Sequence, residues 1–311
     1  MSSPRTRSLA LAAAATAAAV VLAGCGDDDP KDSANDPGAS DTSSPEPGGQ
    51  TATTDPAPSE SSGSGTPTDT VVVPIYFVGD SPMGPRLYRE FRPVEADNPM
   101  EEAAALLTAG DTLDPDYGTL FPGGSFGDIT FDGAGAQGVV SVELADDGWK
   151  TAADGMSKAE AKLAVQSLVY TMQGIVQDRA RVRITLGGEP TTLFGIDGAD
   201  LKDAPQLDVL SLVNVTTPEE GATVSGSFTA SGVASSFEAT VPWEIRQGDQ
   251  VVKQGFATAE GWIEKLYPWE TEVDVSDLAP GDYTFVALTD DPSGGAEGHG
   301  PSEDTKSITV E

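Results

Sequence analysis

Runs of apolar and alternating residues divide residues 70–205 into strands and two helices. Apolar residues spaced by three and four predict helices after Asn98 and after Ser157. The strands are predicted at 70–78, 87–94, 129–132, 138–144, 182–186 and 191–194. With 191–194 as a short further strand at the end, the order ββαββαβ is typical of a small α+β fold with its helices on one face of a sheet.

Both helices have recognisable boundaries. Asn98 is a suitable N-cap, and Pro99 suits the first helical position. Glu101 is placed to complete a capping box, and Gly110 to end the helix. The second helix is predicted to begin at Ser157, because 157–160 has the capping-box pattern. Its buried face is expected to contain Ala161, Ala164, Val165, Leu168 and Met172.

From residue 207 to 311 the pattern changes to short strands separated by turns about every ten residues, which predicts a β-sandwich of immunoglobulin-like topology. Residues Val241, Trp243 and Ile245 alternate with polar positions and are expected to face the core. The seven predicted strands are 209–215, 223–233, 238–246, 250–258, 264–275, 282–289 and 305–310.

The first 24 residues have the pattern of an export signal. Arg5 and Arg7 precede the apolar segment Leu9–Leu22, which is shorter than a membrane-spanning helix requires. Ala23 and Gly24 are small residues that precede Cys25. This arrangement resembles a bacterial lipoprotein signal, and the resemblance implies cleavage and lipidation at Cys25. The alternative is an incidental cysteine at the end of a signal peptide.

Residues 25–69 are predicted to be a disordered tether. They consist almost entirely of Gly, Asp, Pro, Ser, Thr and Ala, with no aromatic residue and no Val, Ile, Leu or Met. Such a segment cannot bury enough apolar surface to offset the entropy of ordering it. Acidic repulsion and prolines are expected to keep it extended, as a spacer between the lipid and the folded region.

The chain is strongly acidic. Its formal charge is −33, and removal of residues 1–24 takes away two arginines and no acid, which leaves −35. This charge makes nucleic acid an unsuitable partner and opposes adsorption to an anionic membrane. Membrane attachment is therefore expected to come from the lipid, on the extracytoplasmic side. Cys25 is the single cysteine, so no internal disulfide can form.

Residues 70–205 resemble the sporulation and germination GerMN domain. The resemblance rests on 73–78, on the helix from Asn98 to Gly110, on the turn at 121–125 and on the strand at 182–187. It implies a domain of the ring-building-motif type, found in envelope-anchored proteins of Gram-positive bacteria. Such domains participate in large envelope assemblies in spore formers.

Residues 207–311 resemble the immunoglobulin-like domain of bacterial spore germination, a module that often accompanies GerMN. The motifs are 218–226, 232–234, 237–239, Trp243, Gly255, the turn at 280–283 and the final strand 307–310. The segment 289–294 departs from the family pattern, which puts the shape of one loop in doubt.

The sequence contains little that points to catalysis or to a cofactor. His299, the single histidine, lies in a Gly-rich loop and is expected to be exposed. One imidazole cannot build a histidine zinc site. Calcium is the one cofactor that stays open, because the turns 146–148 and 290–291 are rich in oxygen ligands, although neither has the spaced ligands of a calcium loop and solvated turns are the alternative. The glycine-rich segment 133–138 precedes a strand rather than a helix, so it is interpreted as a turn and not as a nucleotide-binding loop. No cofactor is therefore predicted.

Trp262, Tyr267 and Trp269 are the candidate partner-binding residues. Aromatic side chains are enriched in recognition surfaces, but a sandwich of this size also needs large core residues, and both readings remain open. The function predicted is a non-enzymatic, lipid-anchored envelope protein for binding or assembly. Its partner is expected to be another envelope protein, a second copy or peptidoglycan. A carboxylate-dependent cell-wall glycan hydrolase and a solute-binding lipoprotein are the alternatives.

Overall fold

The computed structural model describes residues 69–133, 137–291 and 298–311, which belong to one compact unit. Cys25, the predicted signal peptide and all but the last residue of the predicted tether lie outside the described residues. Outside them too are 134–136 of the glycine-rich segment and 292–294 of the loop that departs from the family pattern.

The N-terminal part of the described chain has an α+β fold, as predicted. Its elements are β1 Thr70–Gly79, β2 Arg86–Glu95, α1 Pro99–Ala109, β3 Tyr117–Gly118, β4 Phe126–Asp132, β5 Val139–Leu144, α2 Lys158–Val176, β6 Arg181–Leu186, β7 Glu189–Pro190, β8 Thr192–Leu193 and β9 Ile196–Asp197. The strands form two main sheets rather than the single sheet expected, with orders β2-β1-β3 and β4-β5-β6-β7. The division arises because β1 takes the short β3 as its second neighbour, whereas β4 pairs only with β5.

The core of this part lies between the helices and the sheets. Ile75 and Phe77 from β1, Leu107 from α1, and Leu168 and Met172 from α2 are all fully buried. The last turn of α2 lies very close to β1, since a Cβ atom added at Gly174 would come within 2.5 Å of Pro74 Cγ. Glycine at this position therefore permits the close packing of the helix on the strand.

The two helices differ in how they begin. The predicted capping box of α2 is present: Ser157 Oγ accepts a hydrogen bond from Glu160 N at 3.2 Å, and Glu160 Oε2 accepts one from Ser157 N at 2.8 Å. The capping box predicted for α1 is wrong. Asn98 is the N-cap but makes no side-chain cap bond, and its own N–H donates to the Glu95 carbonyl, while Glu101 accepts a hydrogen bond from Ile129 N on β4. Gly110 ends α1 in the left-handed conformation, as expected.

The C-terminal part contains the short helix α3 and eight strands in one curled sheet. Its elements are α3 Gln206–Val209, β10 Val213–Thr217, β11 Ala222–Val224, β12 Ser227–Ala234, β13 Thr240–Gln247, β14 Gln250–Ala259, β15 Tyr267–Asp274, β16 Gly281–Leu288 and β17 Glu303–Val310. The strand order is β10-β12-β15-β14-β13-β16-β17-β11. Strands β14 and β15 pair through only two residues each, so the sheet folds over at this point.

The two halves of this sheet face each other across a second core, as in the predicted sandwich. The rings of Phe228 on β12 and Phe285 on β16 lie 6.0 Å apart in an edge-to-face arrangement. Val241, Trp243 and Ile245 all face this core, which confirms the alternation predicted for β13.

Two strand predictions in the C-terminal part require correction. The predicted strand 223–233 is two strands, β11 and β12, separated at Gly226, whose φ of 63° breaks the extended backbone. β11 pairs in parallel with β17, while β12 pairs with β10 and β15. The strand predicted from Val209 begins only at Val213, because Val209 ends the short helix α3.

Candidate functional site

A buried polar network joins the two parts of the described chain, and we call it the junction. It contains Lys306 and Asp304 from β17, Asp114 from the loop after α1, and Tyr117 from β3. The Lys306 ammonium contacts the Asp114 carboxylate, lies 2.7 Å from the Tyr117 hydroxyl and lies 3.4 Å from Asp304 Oδ1. All four residues are less than 9% exposed.

Asp304 is the best satisfied member of the junction. Its Oδ1 accepts a hydrogen bond from the Tyr117 hydroxyl at 2.6 Å. Its Oδ2 accepts hydrogen bonds from Asn214 Nδ2 at 3.0 Å and from Val215 N at 2.6 Å. Asp304 and Lys306 lie on the face of β17 that also carries Ile308 and Val310, which explains their burial.

Burial and charge shift the titration of these groups. Burial, which stabilises the neutral acid, raises the pKa of Asp304 despite the opposing effect of Lys306. Burial also acts to lower the pKa of Lys306, but the carboxylates of Asp304 and Asp114 outweigh it and raise that pKa. The junction is therefore a structural ion-pair network in which two carboxylates share one ammonium.

The other carboxylates near the junction also have structural partners. A groove of about 300 Å³ next to Lys306 is lined in part by Glu90, Asp114 and Glu220. Glu90 accepts hydrogen bonds from the backbone amides of Leu113 and Asp114, and Glu220 accepts one from Ser307 N. These contacts indicate that Glu90 and Glu220 hold loops in place. They do not favour a catalytic role as the acid and base pair that a glycan hydrolase requires.

The three aromatic residues predicted as a binding cluster have different environments. Trp269 is 3% exposed and packs in the C-terminal core, so it is a core residue and the prediction of a surface role is wrong for it. Tyr267 is partly buried, with the Lys265 ammonium 5.0 Å from its ring centre. Trp262 is also partly buried and lies at the surface.

Trp262 belongs to an exposed apolar group that the sequence did not reveal. Its ring packs edge-to-face against Phe237, with centroids 5.1 Å apart. Phe237 is 40% exposed, and the neighbouring Ile263 is 61% exposed. We call Phe237, Trp262 and Ile263 the aromatic surface. Exposed apolar side chains that lie next to one another in this way are typical of recognition surfaces.

The backbone that carries the aromatic surface is strained. Glu238, Ala239 and Ile263 have φ angles of 51°, 61° and 79°. They account for three of the five non-glycine residues with positive φ in the described part of the chain. A positive φ is especially unfavourable for a β-branched residue such as Ile263, and such strain concentrates at functional sites.

Serine side chains hold the strained loops together. Ser235 Oγ accepts a hydrogen bond from Ile263 N at 3.0 Å, and Ser236 Oγ accepts one from Asp290 N at 2.6 Å. In the segments 235–240 and 260–266, which carry the aromatic surface, the acids Glu238, Glu260 and Glu264 are exposed, and Lys265 is the one base. The aromatic surface is therefore held by hydrogen bonds and lies on segments that are net acidic.

The part of the chain that the structure describes contains neither a metal-binding cluster nor a membrane-spanning helix. Ranges 69–133, 137–291 and 298–311 contain no group of three or more His, Cys, Asp or Glu side chains able to hold a metal ion. Asp146 Oδ1 accepts a hydrogen bond from Gly148 N at 2.8 Å, as in an ordinary turn, and His299 is exposed. The helices in these ranges are all too short or too polar to cross a bilayer.

Comparison with solved structures finds low-identity matches. One is the tandem GerMN domains of the sporulation protein GerM from Bacillus subtilis, at 14% identity and a TM-score of 0.33, covering 67% of this chain. The chain spans 62% of the length of that structure. Another is a provisionally assigned lipoprotein from Clostridium perfringens, at 13% identity and a TM-score of 0.26, covering 43% of this chain and 87% of the other. No curated protein sequence matches the chain.

Family models match both parts of the described chain. Residues 74–192 match the family described as sporulation and spore germination. Residues 212–296 match the family described as the immunoglobulin-like domain of bacterial spore germination. The chain therefore carries a sporulation and spore germination domain followed by an immunoglobulin-like domain of bacterial spore germination.

Proposed function

We propose that the protein is a lipid-anchored, non-enzymatic envelope protein that binds a protein partner through the aromatic surface. The observation that carries this proposal is the exposure of Ile263, which has a positive φ, and of Phe237, which directly precedes Glu238 and Ala239 at positive φ. Exposed apolar side chains and strained backbone each cost free energy, so their occurrence together favours a recognition role. The two spore-germination families agree with a role in binding or assembly.

Charge indicates the kind of partner that suits this surface. Glu238, Glu260 and Glu264 are exposed around an apolar centre. A complementary partner has an apolar side chain that covers Ile263 and basic side chains that face these acids. The junction supports the same role, because it fixes the immunoglobulin-like domain against the first domain and limits the loss of freedom on binding.

A peptide titration tests this binding function. The full chain is titrated calorimetrically with a leucine–lysine peptide and with a leucine–glutamate peptide of equal length. We expect saturable binding of the lysine peptide and none of the glutamate peptide, because the surface is acidic. Ile263→Gly should weaken binding severalfold. Phe131→Ser, which removes another exposed apolar side chain, on β4 and outside the aromatic surface, is the control and should leave it unchanged. Equal binding by both variants would contradict the proposal.

The lipid anchor is a separate part of the proposal, supported by the segment Ala23-Gly24-Cys25 behind an apolar stretch. A single acyl chain binds membranes only marginally, so stable attachment needs a second chain or contact. We expect Cys25→Ser to move the protein from the membrane fraction to the supernatant, whereas Ser33→Ala in the predicted tether should remain with the membrane. If both variants stay with the membrane, the anchor is assigned to the wrong residue.

A further inference from the structure

A second cavity at the boundary between the two domains has an unusual polar lining. Its volume is about 210 Å³, and Leu87, Arg89, Ser211, Asn214 and Val233 are among the residues that line it. This volume is several times the roughly 30 Å³ that one water molecule occupies in the liquid. A small organic molecule therefore fits.

Three residues of this lining have buried polar atoms without a hydrogen-bond partner in the described part of the chain. These atoms are Arg89 Nε, Ser211 Oγ and Asn214 Oδ1. Ser211 and Asn214 are 1% and 3% exposed. The nearby Tyr88 hydroxyl donates to the Asp80 carbonyl at 2.8 Å, so its proton is not available to Ser211, and its oxygen competes with an occupant of the cavity for the Ser211 proton. Three unsatisfied groups around one cavity call for an occupant that satisfies them.

The orientation of the Asn214 amide is fixed by its neighbour. Its Nδ2 donates to Asp304 Oδ2 at 3.0 Å, and a flipped amide would place its oxygen against that carboxylate. Asn214 Oδ1 is therefore the free atom, and it is an acceptor. On the other side, Arg89 Nη2 donates to Thr216 Oγ1 at 3.0 Å and leaves Nε–H as a free donor.

The two sides of the cavity differ in charge. Arg89 is the only charged residue among those that line it. Behind Asn214 lies the junction, where the two carboxylates of Asp114 and Asp304 face the single ammonium of Lys306. One side of the cavity therefore attracts an anion, and the other attracts a hydrogen-bond donor of positive charge. Leu87 and Val233 add an apolar wall.

We infer that this cavity binds a small zwitterion with an aliphatic side chain, that is, a free α-amino acid. Its carboxylate accepts hydrogen bonds from Arg89 Nε and Ser211 Oγ, and its ammonium donates to Asn214 Oδ1. The apolar wall accommodates a short side chain. This site is distinct from the aromatic surface and does not depend on the function proposed for it.

Calorimetric titration of the full chain with glycine and alanine tests the inference, with acetate and ethylamine as probes that carry one charge each. We expect saturable 1:1 binding of alanine, and binding at least about tenfold weaker for acetate and ethylamine, because each lacks one charge-assisted hydrogen bond. Binding of acetate as tight as that of alanine would overturn the inference. The absence of saturable heat with glycine and alanine would mean a cavity filled by water only, and would also overturn it.

Three variants separate the site from the fold. Ser211→Ala removes one unsatisfied hydroxyl and should weaken alanine binding about tenfold. Val233→Phe should fill the cavity and abolish binding while the thermal midpoint is maintained. Ser167→Ala is the control, because its buried hydroxyl already donates to Ala164 O on α2, and it should bind alanine as the wild type does. Unchanged binding by both Ser211→Ala and Val233→Phe would contradict the site.

Discussion

The junction and the aromatic surface both depart from the rule that charged side chains are exposed and apolar side chains are buried, and they depart from it in opposite ways. At the junction, Lys306, Asp114 and Asp304 are buried although they are charged, and each has partners. At the aromatic surface, Phe237 and Ile263 are exposed although they are apolar, and their loops are strained. The buried charges are paired within the structure, whereas much of the apolar surface of Phe237 and Ile263 stays exposed although Phe237 packs on Trp262. A structural site thus differs from a binding site in whether its side chains find their contacts within the chain, and not in the type of residue.

The largest effect is expected from Lys306→Ala. This substitution leaves two buried carboxylates without their shared ammonium, and loss of one member of a buried ion pair costs about 3–5 kcal/mol. The urea midpoint should fall accordingly. Lys253→Ala, which breaks the ion pair with the 69%-exposed Asp277, is the control and should cost about 1 kcal/mol or less. Equal losses in the two variants would show that the junction is no more than a surface ion pair.

A smaller effect is expected from alkaline pH. Burial, with the negative charge of Asp304 and Glu303, raises the pKa of Tyr88 to about 12, whereas an unfolded tyrosine ionises near 10. As the pH rises, the unfolded state loses this proton before the folded state does. The contribution of Tyr88 to the free energy of unfolding is therefore fully present below about pH 10 and is lost between about pH 10 and 12. Each pH unit in that window should cost about 1.4 kcal/mol.

Urea midpoints at several alkaline pH values measure this loss, and Tyr88→Phe provides the comparison. The variant lacks this titrating group beside the junction, so its stability should decline less steeply above pH 10 than that of the wild type. Identical slopes would contradict the placement of Tyr88, whose ring stacks on Tyr117 at 4.9 Å.

The smallest effect is expected from Ile263→Gly, and it should have the opposite sign. Glycine adopts the φ of 79° without strain, and strain at such a residue is of order 1–3 kcal/mol. Because glycine also loses more entropy on folding, we expect a net stabilisation of about 1 kcal/mol or less. Thermal unfolding measures this effect, with Trp269→Ala as the comparison. Trp269→Ala creates a core cavity and should lower the free energy of unfolding by about 3–5 kcal/mol. Marked destabilisation by Ile263→Gly would place Ile263 in the core.

Local patterns in the sequence predicted much of the fold. The capping box at Ser157 and Glu160 depends on residues three apart, and the alternation of Val241, Trp243 and Ile245 depends on neighbours in one strand. Both were confirmed. The capping box predicted at Asn98 was wrong. Glu101 accepts a hydrogen bond from Ile129 on β4, and a contact between residues so far apart in sequence cannot be predicted from a local pattern.

The functional regions were harder to predict, for a physical reason. Lys306 and Asp114 are 192 residues apart, and each looks like an ordinary surface charge in the sequence. The alternation of Asp304 and Lys306 with Ile308 and Val310 was the one available signal of their burial. The local sequence pointed to Trp262 of the aromatic surface but not to Phe237 or Ile263, because residue type disfavours the positive φ found at Glu238 and Ile263. It also pointed to Trp269, which is buried.

Affinity capture with matched variants tests the central claim most directly. Full-chain wild type, Ile263→Gly and Phe131→Ser are crosslinked to an envelope fraction from the source organism, and the captured proteins are quantified by mass spectrometry. The account predicts a specific protein captured by the wild type and by Phe131→Ser, with the yield from Ile263→Gly reduced severalfold. Capture of the same proteins in equal amounts by all three chains would contradict it.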